Sequence, residues 1–137
     1  MKSQALVSIR IITNDVRTLA GFYEQITGLT AIFYTEDFAE LKTPCATLAI
    51  GSTRTLQLFG GDEVASAAQN RSAIIEFLVT DVDAEYERLT DFQDMVVQAP
   101  TLMPWGNKSL LLRDPDGNLV NLFTPVTSDA MKRFEGQ

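Results

Sequence analysis

Two charged side chains, Arg10 and Glu76, stand inside segments that are otherwise rich in apolar residues. A guanidinium can anchor a polar or charged end of a ligand, and a carboxylate can act as a general acid or base where burial raises its pKa. The chain has no histidine, which removes the commonest general base at neutral pH and any Ser-His or Cys-His nucleophilic pair. Glu76 is therefore the candidate for acid–base chemistry, and Arg10 is the candidate for ligand anchoring.

The single cysteine, Cys45, is a weak candidate for chemistry. No basic residue beside it in the sequence would lower its pKa, so we expect an inert, packed thiol. One cysteine cannot form an internal disulfide, and the N-terminus does not have the pattern of a signal peptide. The longest apolar runs are only a few residues, too short to span a membrane. We therefore expect a cytoplasmic protein that does not enter membranes.

The charge balance excludes one class of partner. The net charge is −7 at pH 7 and the isoelectric point is about 4.4, and no basic cluster interrupts this acidity, so nucleic acid is not an expected partner. An acidic surface can attract a cationic ligand, or it can simply keep the protein soluble. The length of 137 residues and the apolar fraction of 45% indicate one globular domain or two half-domains sharing a core.

The elements that must position these residues follow a repeated pattern. In the first half, a strand is predicted over Ala5–Thr13, and a helix begins at Asn14-Asp15 and ends at Gly28. Three further strands are predicted there: Leu29–Thr35, Phe38–Ile50 with a break at Pro44, and Arg54–Phe59.

The second half restarts the same order after a Gly-rich linker over 61–71. Asp81 is the expected N-cap of its helix, and Asp114-Pro115-Asp116-Gly117 is expected to form a type I turn with a bulge at the glycine. The other predicted elements are strands at Ala73–Thr80 and Met95–Ala99, a loop at Pro100–Asn107, a hairpin of Lys108–Arg113 with Asn118–Thr124, and a short helix at Asp129–Phe134.

The two halves can be aligned with each other. Asp15-Val16 aligns with Asp81-Val82, and Leu56–Phe59 aligns with Val120–Phe123. Such a repeat predicts a single α+β domain built from two βαβββ modules, residues 5–60 and 72–125, with a tail over 126–137. Arg10 and Glu76 occupy equivalent positions, so they either satisfy each other as an ion pair or anchor a ligand.

The paired modules, together with three local motifs, resemble the vicinal oxygen chelate superfamily, also called the glyoxalase, bleomycin resistance protein and extradiol dioxygenase superfamily. The motifs are the strand–Asn-Asp-Val–helix opening over 9–22, Trp105-Gly106 and the turn over 114–118. The resemblance covers residues 5–125 and implies two modules that form an incomplete mixed β-barrel around a cleft, in a homodimer. It leaves the reaction open, because one fold hosts many chemistries.

The resemblance also implies where a metal would bind, because metal enzymes of the family carry His, Glu or Gln on the first and last strand of each module. The matching positions in this chain are Ser8, Gln57, Ile74 and Asn121. This set suits neither hard ions, which prefer carboxylates, nor soft ions, which prefer imidazole or thiolate. We therefore expect no metal and no other cofactor.

Strand alternation identifies the residues that share a face with those positions. Trp105 joins them by resemblance, although it could instead close the end of the barrel or form a dimer contact. The expected ligand-binding residues are Ser8, Arg10, Gln57, Phe59, Glu76, Trp105, Ser109, Leu111 and Asn121.

This composition favours a metal-free protein that binds a hydrophobic or planar organic molecule, for example a drug-sequestering protein. The alternatives are a lyase- or dioxygenase-like enzyme with a non-standard active site, in which Glu76 is the weak catalytic candidate, and a partner subunit that binds no ligand.

Overall fold

The computed structural model describes residues 3–136 and contains two units of the same architecture. The first unit contains β1 (Ser8–Thr13), α1 (Val16–Thr27), β2 (Ile32–Thr35), β3 (Phe38–Lys42), β4 (Thr47–Ser52) and a 3-10 helix (Thr53–Phe59). The second unit contains β5 (Ile74–Leu78), α2 (Val82–Arg88), a 3-10 helix (Thr90–Met95), β6 (Val96–Leu102), β7 (Asn107–Arg113), β8 (Leu119–Pro125) and α3 (Ser128–Arg133).

Each unit forms one open, mixed, four-stranded sheet, and the α+β prediction with two βαβββ modules is confirmed. The strand orders are β1-β4-β3-β2 and β5-β8-β7-β6, so the first strand of each unit pairs in parallel with its last. The boundary between the two compact units lies between Gln69 and Asn70. No helix in the described part of the chain is long and apolar enough to cross a membrane.

The predicted ends of the first helix are confirmed. The Asp15 side chain accepts a hydrogen bond from the Thr18 backbone N–H, and Gly28 ends α1 with φ of +75°. Glycine adopts this left-handed conformation without steric cost. Asp81 caps α2 in the same way, because its carboxylate accepts from the N–H groups of Asp83 and Ala84.

The last two strands predicted for the first half are wrong. Phe38–Ile50 is not one strand, because a turn at Thr43–Ala46 divides it into β3 and β4; the Thr43 N–H donates to the Ala46 carbonyl over 3.1 Å. Cys45 lies in this turn and is exposed, so the expectation of a packed thiol is also wrong. Pro44 marks a tight turn between two paired strands rather than a bend in one strand.

Arg54–Phe59 forms most of a 3-10 helix instead of the expected strand. The Ser52 hydroxyl accepts from the Arg54 N–H, and the Thr55 hydroxyl donates to the Ser52 carbonyl over 2.7 Å. These local hydrogen bonds from Ser and Thr side chains compete with strand pairing. β4 therefore takes the place of the last strand of the unit.

The predicted loop over Pro100–Asn107 is also wrong. β6 continues through Pro100 to Leu102, and only the turn at 103–106 separates it from β7. β6 is an edge strand and its register with β7 shifts between Gln98 and Thr101. A proline is tolerated at such a place because the missing N–H would have no strand partner.

The turn at Asp114–Gly117 forms as predicted. The Gly117 N–H donates to the Asp114 carbonyl over 2.9 Å, and Gly117 has φ of +84°. The Asp114 carboxylate accepts from the backbone N–H groups of Asp116 and Asn118, each over 2.9 Å, and from the Asn118 amide over 2.7 Å. Asp114 and Asn118 are both buried, so these bonds satisfy groups that water cannot reach.

The same network reaches the start of the second unit. The Asn118 amide oxygen accepts from the Asn70 amide over 3.0 Å. Asn70 in turn accepts from the backbone N–H groups of Ser72 and Ala73, just before β5. The turn therefore ties the beginning of β5 to the beginning of β8, its parallel neighbour.

We predict that Asp114→Ala lowers the free energy of unfolding by about 2–4 kcal/mol, because it leaves buried donors without an acceptor. Chemical denaturation measures this loss. Asp94→Ala is the matched control, since Asp94 is exposed, and it should change the free energy by less than about 0.5 kcal/mol. Equal effects of the two substitutions would contradict the structural role of the Asp114 carboxylate.

Candidate functional site

A pocket of about 420 Å³ opens on the first unit. It combines aromatic and aliphatic side chains with two guanidinium groups, one carboxylate and two hydroxyls. Its lining residues are Arg10, Thr35, Asp37, Phe38, Arg54, Thr55, Leu58 and Phe59.

Strand register explains how the sheet shapes this pocket. Gly51 of β4 lies between Ile12 of β1 and Phe38 of β3. A Cβ atom built at Gly51 would lie 3.4 Å from the Arg10 Cδ and 3.1 Å from the Thr55 Oγ1. The aliphatic stem of Arg10 therefore passes over the space that a side chain at this position would fill. Sequence analysis missed Gly51 because its importance depends on register rather than on local pattern.

Two aromatic rings hold the Arg10 guanidinium in the pocket. Its Cζ atom lies 4.6 Å from the centroid of the Phe38 ring and 5.2 Å from that of the Phe59 ring. A cation over an aromatic face at an exposed site gains about 0.5–1 kcal/mol. Phe38 comes from β3 and Phe59 from the end of the 3-10 helix, so the helix supplies the second ring although a strand was predicted.

Asp37 and Arg54 form an ion pair at the pocket. Asp37 Oδ1 accepts from Arg54 Nε over 2.7 Å and from the Ser52 hydroxyl over 2.9 Å, and it lies 2.6 Å from Arg54 Nη2. The hydrogen bond from Arg54, followed by that from Ser52, lowers the pKa of Asp37 below its ordinary value of 3.8. The same pairing raises the pKa of Arg54, so each charge of the pair is already balanced.

Gln57 does not line this pocket. Its side-chain amide donates to the Asp62 carboxylate over 2.6 Å at the exposed surface. The strand register also shows that Gln57 is not the residue that corresponds to Asn121 of the second unit. Arg10 lies opposite Ala49, as Glu76 lies opposite Asn121, so Ala49 and not Gln57 corresponds to Asn121.

The second unit brings together Glu76 and Asn121. They are opposite each other on β5 and β8, and the Asn121 amide donates to the Glu76 Oε2 over 2.8 Å. If the Asn121 amide were flipped, its oxygen would face an oxygen of the Glu76 carboxylate. The carboxylate therefore fixes the orientation of the amide. The Asn121 Oδ1 is buried without a hydrogen-bond partner among the described residues. Glu76 itself is exposed, so it does not have the burial that was expected of a catalytic acid or base.

The C-terminal segment covers another part of this face. Phe134 follows α3, and its ring centroid lies 5.0 Å from that of Phe123, the residue opposite the buried Ser109 on β7. The backbone carbonyl of Gly106 accepts from Val126 and Thr127 and thereby fixes the start of this segment. The sequence predicted the short helix, but its ring contact with Phe123 depends on tertiary packing.

The remaining expected ligand-binding residues are not among those that line the pocket of the first unit. Leu111 is opposite Asn121 on β7 and is half-buried. Trp105 is exposed in the turn between β6 and β7. Ser8 is half-buried at the start of β1. Roles for these residues in ligand binding, and an ion pair of Arg10 with Glu76, stay predictions.

The residues at the four strand positions do not fit a divalent metal ion. With Ala49 in place of Gln57, these positions hold Ser8, Ala49, Ile74 and Asn121, which offer one hydroxyl and one amide as donors. Residues 3–136 also contain no cluster of three or more His, Cys, Asp or Glu side chains that could hold a metal ion. Neither hard nor soft divalent ions prefer such a donor set.

Comparison with known proteins gives a consistent family assignment. Residues 5–122 match the family model described as the Glyoxalase/Bleomycin resistance protein/Dioxygenase superfamily. A glyoxalase/bleomycin resistance protein/dioxygenase from Nocardioides is 19% identical, with a TM-score of 0.74 over 93% of this chain and 87% of that chain.

Two further solved structures share this fold. A family enzyme from Burkholderia phytofirmans PsJN is 18% identical, with a TM-score of 0.78 over 90% of this chain and 100% of that chain. A virulence protein from Salmonella typhimurium is 20% identical, with a TM-score of 0.67 over 92% of this chain and 100% of that one. A comparison with curated proteins gave no match.

We predict that Asp37 titrates below 3.8 and that Arg54→Gln moves its pKa back toward that value, because Arg54 is the main cause of the shift. Carboxyl ¹³C NMR across a pH series measures both values. Because the folded-state pKa is the lower one, the stabilisation from this pairing is present above the unfolded-state pKa and is lost as pH falls through the folded-state pKa.

Arg88→Gln is the control for this substitution, since Arg88 pairs with Glu85 in the second unit and its removal should leave the pKa of Asp37 unchanged. An Asp37 that titrates at or above 3.8 in the parent protein would contradict the described ion pair.

Proposed function

This chain belongs to the glyoxalase/bleomycin resistance protein/dioxygenase superfamily, and on that premise we propose that it is a metal-free binding protein for a hydrophobic or planar organic molecule. The observation that carries the proposal is the open pocket of the first unit, where Arg10 is held against Phe38 and Phe59. Small-molecule sites typically combine apolar and aromatic walls with a few oriented polar groups, which is the composition found here.

Exposed apolar side chains at the pocket support this proposal. Leu58 is 86% exposed and Phe59 is 58% exposed, although both are of the types that favour burial. Apolar surface removed from water stabilises a complex by about 25 cal/mol per Å². A planar ligand in the pocket would cover part of both side chains, and the ring of Phe59 offers a face for stacking.

The donor chemistry of the strand positions also supports binding rather than metal-dependent catalysis. Ala49 and Ile74 provide no donor atom, and Asn121 provides an amide that already donates to Glu76. Sequestration of a toxic compound requires affinity alone and no stabilised transition state. A drug-sequestering role, as in the bleomycin resistance branch of the family name, is therefore the form of binding that we favour.

The Glu76–Asn121 hydrogen bond favours one second candidate, a lyase-like enzyme without the usual metal ligands. A carboxylate fixed by an amide is positioned to accept a proton from a bound substrate. In a titration with candidate ligands, conversion of a compound to a product, lost in Glu76→Gln, would favour this candidate over simple binding.

We also propose that the protein is a homodimer. β1 is one of the two edge strands of its sheet, and three apolar side chains at or just before it are well exposed: Leu6 at 78%, Val7 at 67% and Ile9 at 56%. An exposed apolar edge strand favours association unless something covers it, and a second copy of the chain would do so.

We predict that light scattering at micromolar concentration gives twice the chain mass of 15.1 kDa and that Ile9→Glu shifts the protein toward the monomer. A charge placed in an apolar interface must be desolvated, which weakens association. Leu102→Glu on the other unit's edge strand is the control. A parent protein that is monomeric at all concentrations would contradict the proposed dimer.

We predict that planar aromatic compounds shift the backbone amide signals of Thr55, Leu58 and Phe59 in ¹⁵N-HSQC spectra. Phe59→Ala should weaken binding about tenfold, since a stacked ring contributes about 1.4 kcal/mol. Leu102→Ala removes an equally exposed apolar side chain outside the pocket and should leave the affinity unchanged. Shifts confined to other residues would contradict this pocket as the binding site.

A further inference from the structure

We infer that the ligand of the first-unit pocket carries a single carboxylate, bound by the guanidinium of Arg10. This inference rests on the proposed function, since it names the class of molecule that the same pocket takes. It concerns the polar end of that ligand, whereas the apolar walls of the pocket determine only that the rest is hydrophobic or planar.

Arg10 makes no ion pair within its own unit. Among the described residues 3–69, its guanidinium lies against the rings of Phe38 and Phe59, and no carboxylate pairs with it. Arg54, the other guanidinium of the pocket, is paired with Asp37. The donors of Arg10 are therefore available to a ligand, in a chain with 18 acidic residues.

The guanidinium of Arg10 is preorganised for a planar acceptor. The missing side chain of Gly51 leaves room for the stem of Arg10, and the two rings hold its planar head. Aromatic rings interact with the faces of a guanidinium and leave its N–H groups to donate in the guanidinium plane. A carboxylate is the planar acceptor that matches two such parallel donors.

The charge of the lining residues favours a monoanion over a dianion. Arg10 and Arg54 each carry one positive charge and Asp37 carries one negative charge, so the lining residues carry a single net positive charge; Glu36 also interacts with Arg54 but does not line the pocket. A monoanionic carboxylate balances it, whereas a phosphate dianion would leave an unbalanced charge beside Asp37. This local charge acts at contact distance, while exposed acidic residues elsewhere are screened over about 8 Å at physiological salt. The cationic ligand suggested by the net charge of −7 is therefore not the one that this pocket favours.

The experiment compares matched probes that share one aromatic body. These are 2-naphthoate, the neutral 2-naphthamide, the cation 2-naphthylmethylamine and the dianion 2-naphthyl phosphate. Each is titrated at 0.15 M salt into ¹⁵N-labelled protein, and the Nε–Hε signal of Arg10 is followed with the backbone amides of Thr55 and Leu58. The side-chain signal reports the guanidinium directly, and the backbone signals report occupancy of the pocket.

We expect 2-naphthoate to bind at least about tenfold more tightly than the other three probes and to shift the Arg10 side-chain signal. Equal affinity for the acid and the amide would overturn the carboxylate inference and leave the proposed function intact. A preference for the amine or the phosphate would also overturn it. Absence of pocket shifts with every probe would overturn the inference and the proposed function together.

Two substitutions separate the charge of Arg10 from its shape. Arg10→Met keeps an unbranched stem without charge and should remove the preference for the acid, while naphthamide still binds. Arg10→Lys keeps the charge without the planar donors and should retain only part of the preference. If Arg10→Met keeps the full preference, another group binds the carboxylate and the inference is wrong.

Two controls complete the design. Leu102→Ala should match the parent protein with all four probes. Glu76→Gln tests whether a carboxylate of the other unit already occupies Arg10. If the Arg10 signal responds to 2-naphthoate only in Glu76→Gln, the guanidinium is not available in the parent protein and the inference is overturned.

Discussion

The parallel pairing of the first and last strand in each unit determines which residues share a face. In the first unit this pairing places Arg10 beside Ala49 on β4, and Gly51, two residues further along β4, shares a face with Ala49. In the second unit it places Glu76 beside Asn121. A shift of either register by one residue would turn every side chain of a strand to the opposite face. The pocket and the Glu76–Asn121 hydrogen bond both depend on this one constraint.

The two units use equivalent positions for different chemistry. In the first unit, the missing side chain of Gly51 leaves room for the long side chain of Arg10, whose guanidinium contacts two aromatic rings. In the second unit, an amide at the equivalent of Ala49 donates to a carboxylate at the equivalent of Arg10. These rows offer one carboxylate, that of Glu76, and no imidazole, whereas a divalent ion prefers several such ligands. The family fold is therefore present here with strand positions that offer few donor atoms for a divalent ion.

The features that the sequence predicted well are those specified by local interactions. Asp15 and Gly28 limit α1 because an N-cap carboxylate and a left-handed glycine act within a few residues. The turn at Asp114–Gly117 follows for the same reason, since its carboxylate binds backbone groups that are two and four residues away. The repeat of βαβββ units could be inferred because it is a repetition of such local signals.

The features that the sequence could not predict depend on pairing between distant strands. The alternation of apolar residues in Leu56–Phe59 is compatible with a strand, but the Ser52 cap and the Thr55 hydroxyl direct it into a 3-10 helix. Because of that error, Gln57 rather than Ala49 was taken as the residue of the first unit that corresponds to Asn121. Arg10 was identified as a candidate from its charge in an apolar segment, whereas the rings beside it and the space over Gly51 required the register.

A crystal structure of the protein with bound 2-naphthoate tests the central claim most directly. The account predicts that the naphthyl ring lies in the first-unit pocket beside Phe59, with both carboxylate oxygens within about 3 Å of the Arg10 guanidinium. Ligand density on another surface, or in the pocket with the carboxylate directed away from Arg10, would contradict it.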